Sequence, residues 1–323
     1  MVWRRHVAVR NIEYNGPGQP ADATMILMSM IAFVAGFILL SAHPAYAWGP
    51  VTHVAFGVQV LASVITPEHP LQAVLLSMPQ TFLYGSLAPD IVQGRRLQSR
   101  LRRHSHNWST GFGLLGTARD EQERAFALGY LSHLAADVVA HNFFLPARYI
   151  GRFESGIASH ILTEARFDST LDRWYRELLI KVVAMDFRAL DRVLRRQIDS
   201  PLLPFRAQKR IFDGGMSRIR EWHRLITAIG RREAAEDAEI FAVASRSAMA
   251  GMLEDGEAAA VCRFDPMGQR AIRNALSARR TLRKLIRIGP QAKRAARRLA
   301  SSTVDDLNAH LGQTPFGTAA ELS

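Results

Sequence analysis

Between Leu131 and His141 the chain reads LSHLAADVVAH, which sets His133, Asp137 and His141 at successive four-residue steps; a His160-x3-Glu164 pair follows. On a helix, residues four apart lie one above the other on nearly the same face. Each run therefore offers a line of imidazole nitrogens and carboxylate oxygens, the ligands that divalent zinc takes. The neighbours Leu134, Val138 and Val139 are apolar. An Asp137 buried among them without a partner would be costly, and a cation removes that cost. Two such helices imply a buried metal centre, and with it hydrolytic chemistry.

Those helices need a scaffold, and the composition says which kind. The chain has 323 residues, 48% of them hydrophobic and 22% charged, the balance of a globular protein. Strict alternation of Val, Ile and Thr is rare, while Ala, Leu, Arg and Glu dominate, so the expected class is all-α. The single cysteine, Cys262, excludes a disulfide within a monomer and any Cys-based zinc site. Residues 51–66 read as a first helix with Thr52 as its cap, ended by Pro67 and Pro70. A second apolar stretch over 71–87, broken at Pro79, runs into Pro89-Asp90, which puts Asp90 at the end of an element. A basic loop, RRLQSRLRRHSHNW, spans 95–108 and brings His104 and His106. Residues 109–118 form a short helix or turn with three glycines. The segment 120–144 is a strong helix, capped by Asp120, with Phe126, Tyr130, Leu134 and Val138 along one stripe; Pro146 is expected to stop it. A glycine-containing loop follows over 147–158. The next helix carries His160 and Glu164 and continues through Trp174 and Leu179. Beyond residue 180 the pattern stays helical, punctuated by Pro201 and Pro204, Gly214-Gly215 and the stretch from Gly251 to Gly256.

Met25–Leu40, MILMSMIAFVAGFILL, is uncharged and ends in SAHPAYA. Its length suits a signal-peptide core better than a membrane span, and Ala45-Tyr46-Ala47 is a small-x-small cleavage pattern. The expectation is export, periplasmic or extracellular, with cleavage leaving Trp48 first; an uncleaved N-terminal anchor is the alternative. The residues before Met25 are unusual for a signal peptide, so translation starting near Met25 is also open. The whole chain carries a formal charge of +12, most of which would remain after cleavage.

The order of ligand types (Trp-x4-His from Trp48 to His53, Pro-Asp ending in Asp90, a His, then H-x3-D-x3-H and H-x3-E) resembles the zinc-dependent phospholipase C family. It is also similar to the related zinc-dependent single-strand nucleases. The resemblance spans residues 48–164. It implies an all-helical fold holding up to three Zn2+ ions. Trp48, through its freed α-amine and carbonyl, and His53 would bind one. Asp90, His106, His133 and Asp137 would bind a second, with Asp137 bridging to the first. His141, His160 and Glu164 would bind the third. His104 competes with His106 for one position. Asp137 and His141 stand closer in sequence than in the best-known members, which places both on one continuous helix. The toxin members carry a C-terminal β-sandwich; here the C-terminal half reads as helical and basic.

Clustered zinc lowers the pKa of bound water to about 7 and holds a phosphodiester in line for attack, with Asp90 as the catalytic carboxylate. The expected activity is a secreted phosphodiester hydrolase of phospholipase C type. The alternatives are a nuclease or phosphatase on the same tri-zinc frame, and a non-catalytic protein that keeps zinc for stability. Phe143-Phe144-Leu145-Pro146 with Trp108 and Phe112 could line a lipid-accepting mouth, or could be core. Between Arg270 and Arg298 there are eleven Lys or Arg and no acidic residue, a stretch that would attract a membrane surface or, equally, nucleic acid. The expected organisation is a signal peptide over 1–47, a helical metal-binding domain over 48–185, a basic helical region over 186–311 and a disordered tail over 312–323.

Overall fold

The computed structural model describes residues 48–63, 68–92, 103–155, 167–199, 203–229 and 238–317. Among them the regular structure is helical throughout, with no strand, as the composition predicts. The first half holds α1 (Pro50–Ser63), α2 (Gln72–Ser77), α3 (Pro79–Gly85), a 3₁₀ turn at Ala88–Ile91, α4 (Trp108–Gly116), α5 (Glu121–Val139) and α6 (Leu145–Gly151). The second half holds α7 (Arg173–Val183), α8 (Arg188–Gln197), α9 (Phe205–Ser217), α10 (Ile219–Ile229), α11 (Glu239–Asp255), α12 (Gln269–Leu285) and α13 (Pro290–Gly312). None of the described helices is long and apolar enough to cross a membrane. The apolar run Met25–Leu40 and its cleavage pattern lie outside the described residues, as do His160 and Glu164. The first helix ends at Ser63, and the rest of its expected span also falls outside them.

α5 is the axis of the fold. Its start is fixed locally: Asp120 accepts from the Glu123 amide at 2.7 Å, and Glu123 accepts from the Arg119 amide at 3.0 Å, so two end donors are satisfied in both directions. From Ala125 to Val139 every residue is buried, the pattern of a helix enclosed on all sides. α1, α2, α3, α4 and α11 all pack against it. The contact with α3 is backbone to backbone. A Cβ at Gly129 would stand 2.0 Å from the Phe82 carbonyl oxygen, and one at Gly85 would stand 2.2 Å from that of Phe126. Only glycine at both positions allows this approach.

Pro146 does not stop the helical path. The chain passes from α5 through a π-helical turn, Ala140–Phe144, directly into α6. Pro146 has no N–H to offer the carbonyl four residues back. The π turn shifts the pairing, so that Leu145 N–H bonds the Ala140 carbonyl, and proline then sits in the first turn of α6, where it is tolerated. Asp137 and His141 thus lie on one continuous helical path, as their spacing predicts, with the change from α to π pairing between them.

The C-terminal half closes over this axis. α12 and α13 pack on α6. The buried Arg279 guanidinium caps the end of α6, donating to the carbonyls of Tyr149 at 3.1 Å, Arg152 at 2.9 Å and Ser155. Phe143 and Phe144 belong to the core and do not line a mouth: Phe144 stacks on Trp48 with centroids 4.8 Å apart, and Phe143 meets Phe264 and Phe316. Pro146 is buried beside them in α6, whereas Trp108 and Phe112 remain half-buried. Where a tail was expected after Gly312, Thr314 and Phe316 are buried in the same core, which reaches back to Trp48.

Candidate metal centre

The donors reach the centre from several elements. His53 comes from the first turn of α1. An acid far along the chain holds that turn: Asp168 accepts from the Thr52 amide at 2.8 Å, the Thr52 hydroxyl at 2.6 Å and the Val51 amide at 3.2 Å. Its carboxylate fills the space where a Cβ on Gly49 would lie, 2.3 Å away. Thr52 was read as the cap itself; in the structure it is a residue being capped. Asp168 extends the His160-x3-Glu164 register by another four residues, the one signal in the sequence that points to it. We expect Asp168→Ala to lower stability by about 2–4 kcal/mol, the loss of a cap and a buried multiply bonded carboxylate. Asp168→Asn, which keeps one acceptor, should fall between that variant and the unaltered protein in urea denaturation.

Asp90 comes from the 3₁₀ turn after α3, and His106 from the loop before α4. That loop is tied down by the Tyr130 hydroxyl, which donates to the Ser105 carbonyl, and by the Thr110 hydroxyl, which donates to that of His104 at 2.9 Å. His133 and Asp137 come from α5, and His141 from the π turn. His53, His106, His133, Asp137 and His141 are at most 1% exposed, and Asp90 is 7% exposed.

The donors meet in two overlapping groups that share His133: His53, His133 and Asp137, and Asp90, His106 and His133, the ligand atoms of each within 4.8 Å of one another. His133 Nε2 lies 3.2 Å from His106 Nε2 and 3.3 Å from Asp137 Oδ2. His106 Nε2 lies 3.3 Å from Asp90 Oδ1 and 3.5 Å from Asp137 Oδ2. The His53 ring stacks on that of His133 at 4.0 Å, and its Nε2 stands 3.5 Å from Asp137 Oδ1. Of the pair His104 and His106, it is the His106 ring that stands here.

Backbone carbonyls set the tautomers. His133 Nδ1 donates to the Ser86 carbonyl at 2.8 Å, and His141 Nδ1 to the Pro266 carbonyl at 2.6 Å. A carbonyl only accepts, so Nδ1 carries the proton in each ring, and in the neutral tautomer Nε2 keeps the lone pair that a metal ligand requires. Burial, then the nearby His133, pushes the His53 pKa down, which keeps its imidazole neutral. Burial alone would raise the Asp137 pKa; the nearby imidazoles of His133 and His141 outweigh it and hold the carboxyl well below its usual range.

The arrangement suits a doubly charged ion. Around His106 Nε2, which carries at most one proton, stand the lone pair of His133 and oxygens of two carboxylates. His53 Nε2 is buried without a hydrogen bond among the described residues. Acceptors facing acceptors in a dry interior are unfavourable unless a cation lies among them. The separations match the edge of about 3.3 Å expected of a tetrahedron of zinc bonds near 2.0–2.1 Å.

Residues 52–202 match the family model of zinc dependent phospholipase C. This stretch is a member of that family. No curated protein matches the chain, and no solved structure matches it. The zinc-dependent phospholipase C segment contains His53, Asp90, His106, His133, Asp137 and His141, together with His160 and Glu164. Trp48 precedes it; its indole is buried and donates to the Ser245 hydroxyl of α11 at 3.1 Å. The carbonyl that orients His141 lies beyond the segment. Pro266 belongs to a turn that the C-terminal half lays against the π turn: Asn142 donates to the Asp265 carbonyl at 2.9 Å, and Trp108 Nε1 to that of Phe264 at 2.8 Å. Gly268, at φ +54°, packs its Cα so closely that a Cβ would stand 2.4 Å from the His141 carbonyl oxygen.

Proposed function

We propose that the protein is an exported zinc-dependent phosphodiester hydrolase of phospholipase C type, acting on phospholipids. The observation that carries this reading is the buried cluster of imidazoles and carboxylates inside the family-matched stretch. Asp90, His106, His133 and Asp137 would hold one ion, and His53 with Asp137 another, completed by a Trp48 amine freed by cleavage after Ala47. His141 would join His160 and Glu164 around a third. Bound zinc supplies a water whose pKa falls to about 7 and positive charge that offsets the phosphate's. Asp90 is the most exposed of the cluster, and its carboxylate would take the attacking water's proton. The carbonyls of Ser86 and Pro266 keep His133 and His141 from turning away. The surrounding core excludes other water.

Purified protein should cleave phosphatidylcholine but not single-stranded DNA, and a chelator should abolish turnover. Cleavage of DNA alone would move the reading to a nuclease. Chelator-sensitive stability with no turnover on either would leave zinc a structural role. N-terminal sequencing and metal analysis of exported protein test the Trp48 terminus and the ion count together.

A further inference from the structure

The exposed side of α12 has a single sign. Arg270, Arg273, Ser277, Arg280, Lys284 and Arg287 follow at steps of three and four residues, so they form one stripe along the helix. All are exposed, as is Arg283 beside them. None of these cations makes an ion pair among the described residues. Other cations of the hairpin are used internally: Arg279 caps α6, while Arg297 and Lys293 pair with Glu154. A solvated face ordinarily mixes both signs; an uninterrupted stripe repels itself and is relieved by a polyanion. The helix has 17 residues, about 25 Å of cationic edge. At its far end stands Ile288, 74% exposed, the most exposed large apolar side chain among the described residues. Its near end begins directly after Gly268, which packs against the His141 backbone.

We infer that the exposed face of α12 and the turn after it, from Arg270 to Ile288, docks on an anionic phospholipid bilayer. Charge complementarity calls for a polyanion. The exposed isoleucine selects the bilayer: an aliphatic side chain is stabilised at the boundary between headgroups and acyl chains and gains nothing against a row of phosphates. The choice of bilayer rests on the phospholipid reading above, and binding can be measured apart from turnover. Each cation near an anionic membrane strengthens binding roughly five-fold, and salt screens the attraction.

The test is co-sedimentation of full-length protein with vesicles of phosphatidylcholine alone and of phosphatidylcholine with phosphatidylglycerol. The expected result is partitioning onto the mixed vesicles only, weakened steeply by salt. The combined Arg273→Glu, Arg280→Glu and Lys284→Glu variant should lose at least about a hundredfold in partitioning, with an unchanged melting temperature and unchanged turnover of a short-chain, monomeric phosphatidylcholine. Ile288→Ser should weaken the binding that persists at high salt. Equal partitioning of the charge-reversed variant, or binding to nucleic acid with none to vesicles, would overturn the inference. Vesicle binding without cleavage of any lipid would sink the proposed activity and leave the docking face standing.

Discussion

His133→Ala is expected to abolish turnover, with a fall of about three orders of magnitude or more, as when one member of a group acting as a unit is removed. Its ring is shared by both donor groups, stacks on His53 and spans from the Ser86 carbonyl to the carboxylates of Asp90 and Asp137. No other side chain of the cluster stands in both groups. Metal analysis should show the loss of one equivalent of zinc, while the far-ultraviolet circular dichroism stays helical. Full zinc content with full turnover would refute the assignment of the centre.

Gly129→Ala should be the most damaging of the small substitutions. The new methyl would stand 2.0 Å from the Phe82 carbonyl oxygen, 2.8 Å from its carbon and 3.0 Å from the Ser86 nitrogen, all of them backbone atoms that cannot rotate aside. α3 and α5 must separate, at a cost of about 3 kcal/mol or more. The separation also moves the Ser86 carbonyl away from His133, so zinc affinity should fall together with stability. Gly214→Ala is the contrast. It lies within α9 with nothing inside 4 Å of its Cβ position, and should leave stability unchanged or raise it by about 0.5–1 kcal/mol. Urea denaturation of both variants checks the pair; equal effects would contradict the close crossing.

What was legible in the amino-acid sequence was what local spacing encodes. The four-residue register of His133 and Asp137, the Asp120 cap and the helical character of the C-terminal half all follow from periodicity and end chemistry. What was illegible depended on partners distant in the chain. Pro146 reads as a stop under local rules, and only the π turn, held by Asn142 against the Asp265 carbonyl, lets the helical path continue. Phe143 and Phe144 read as either mouth or core because burial is settled by α11 and by Phe316. The groups that orient the imidazoles are backbone carbonyls of Ser86 and Pro266, which have no residue-type signature. Asp168 lay between these cases: its register was visible, but its task at the start of α1 was not.

The turn from Phe264 to Gly268 has a consequence for how this protein can be taken apart. The family match covers residues 52–202, yet the carbonyl that aims His141 arrives more than sixty positions later, from outside the matched stretch. The portable unit of this fold is therefore larger than its family signature, and a chimera that grafts only the recognised portion onto another helical scaffold would inherit the ligand without its rudder.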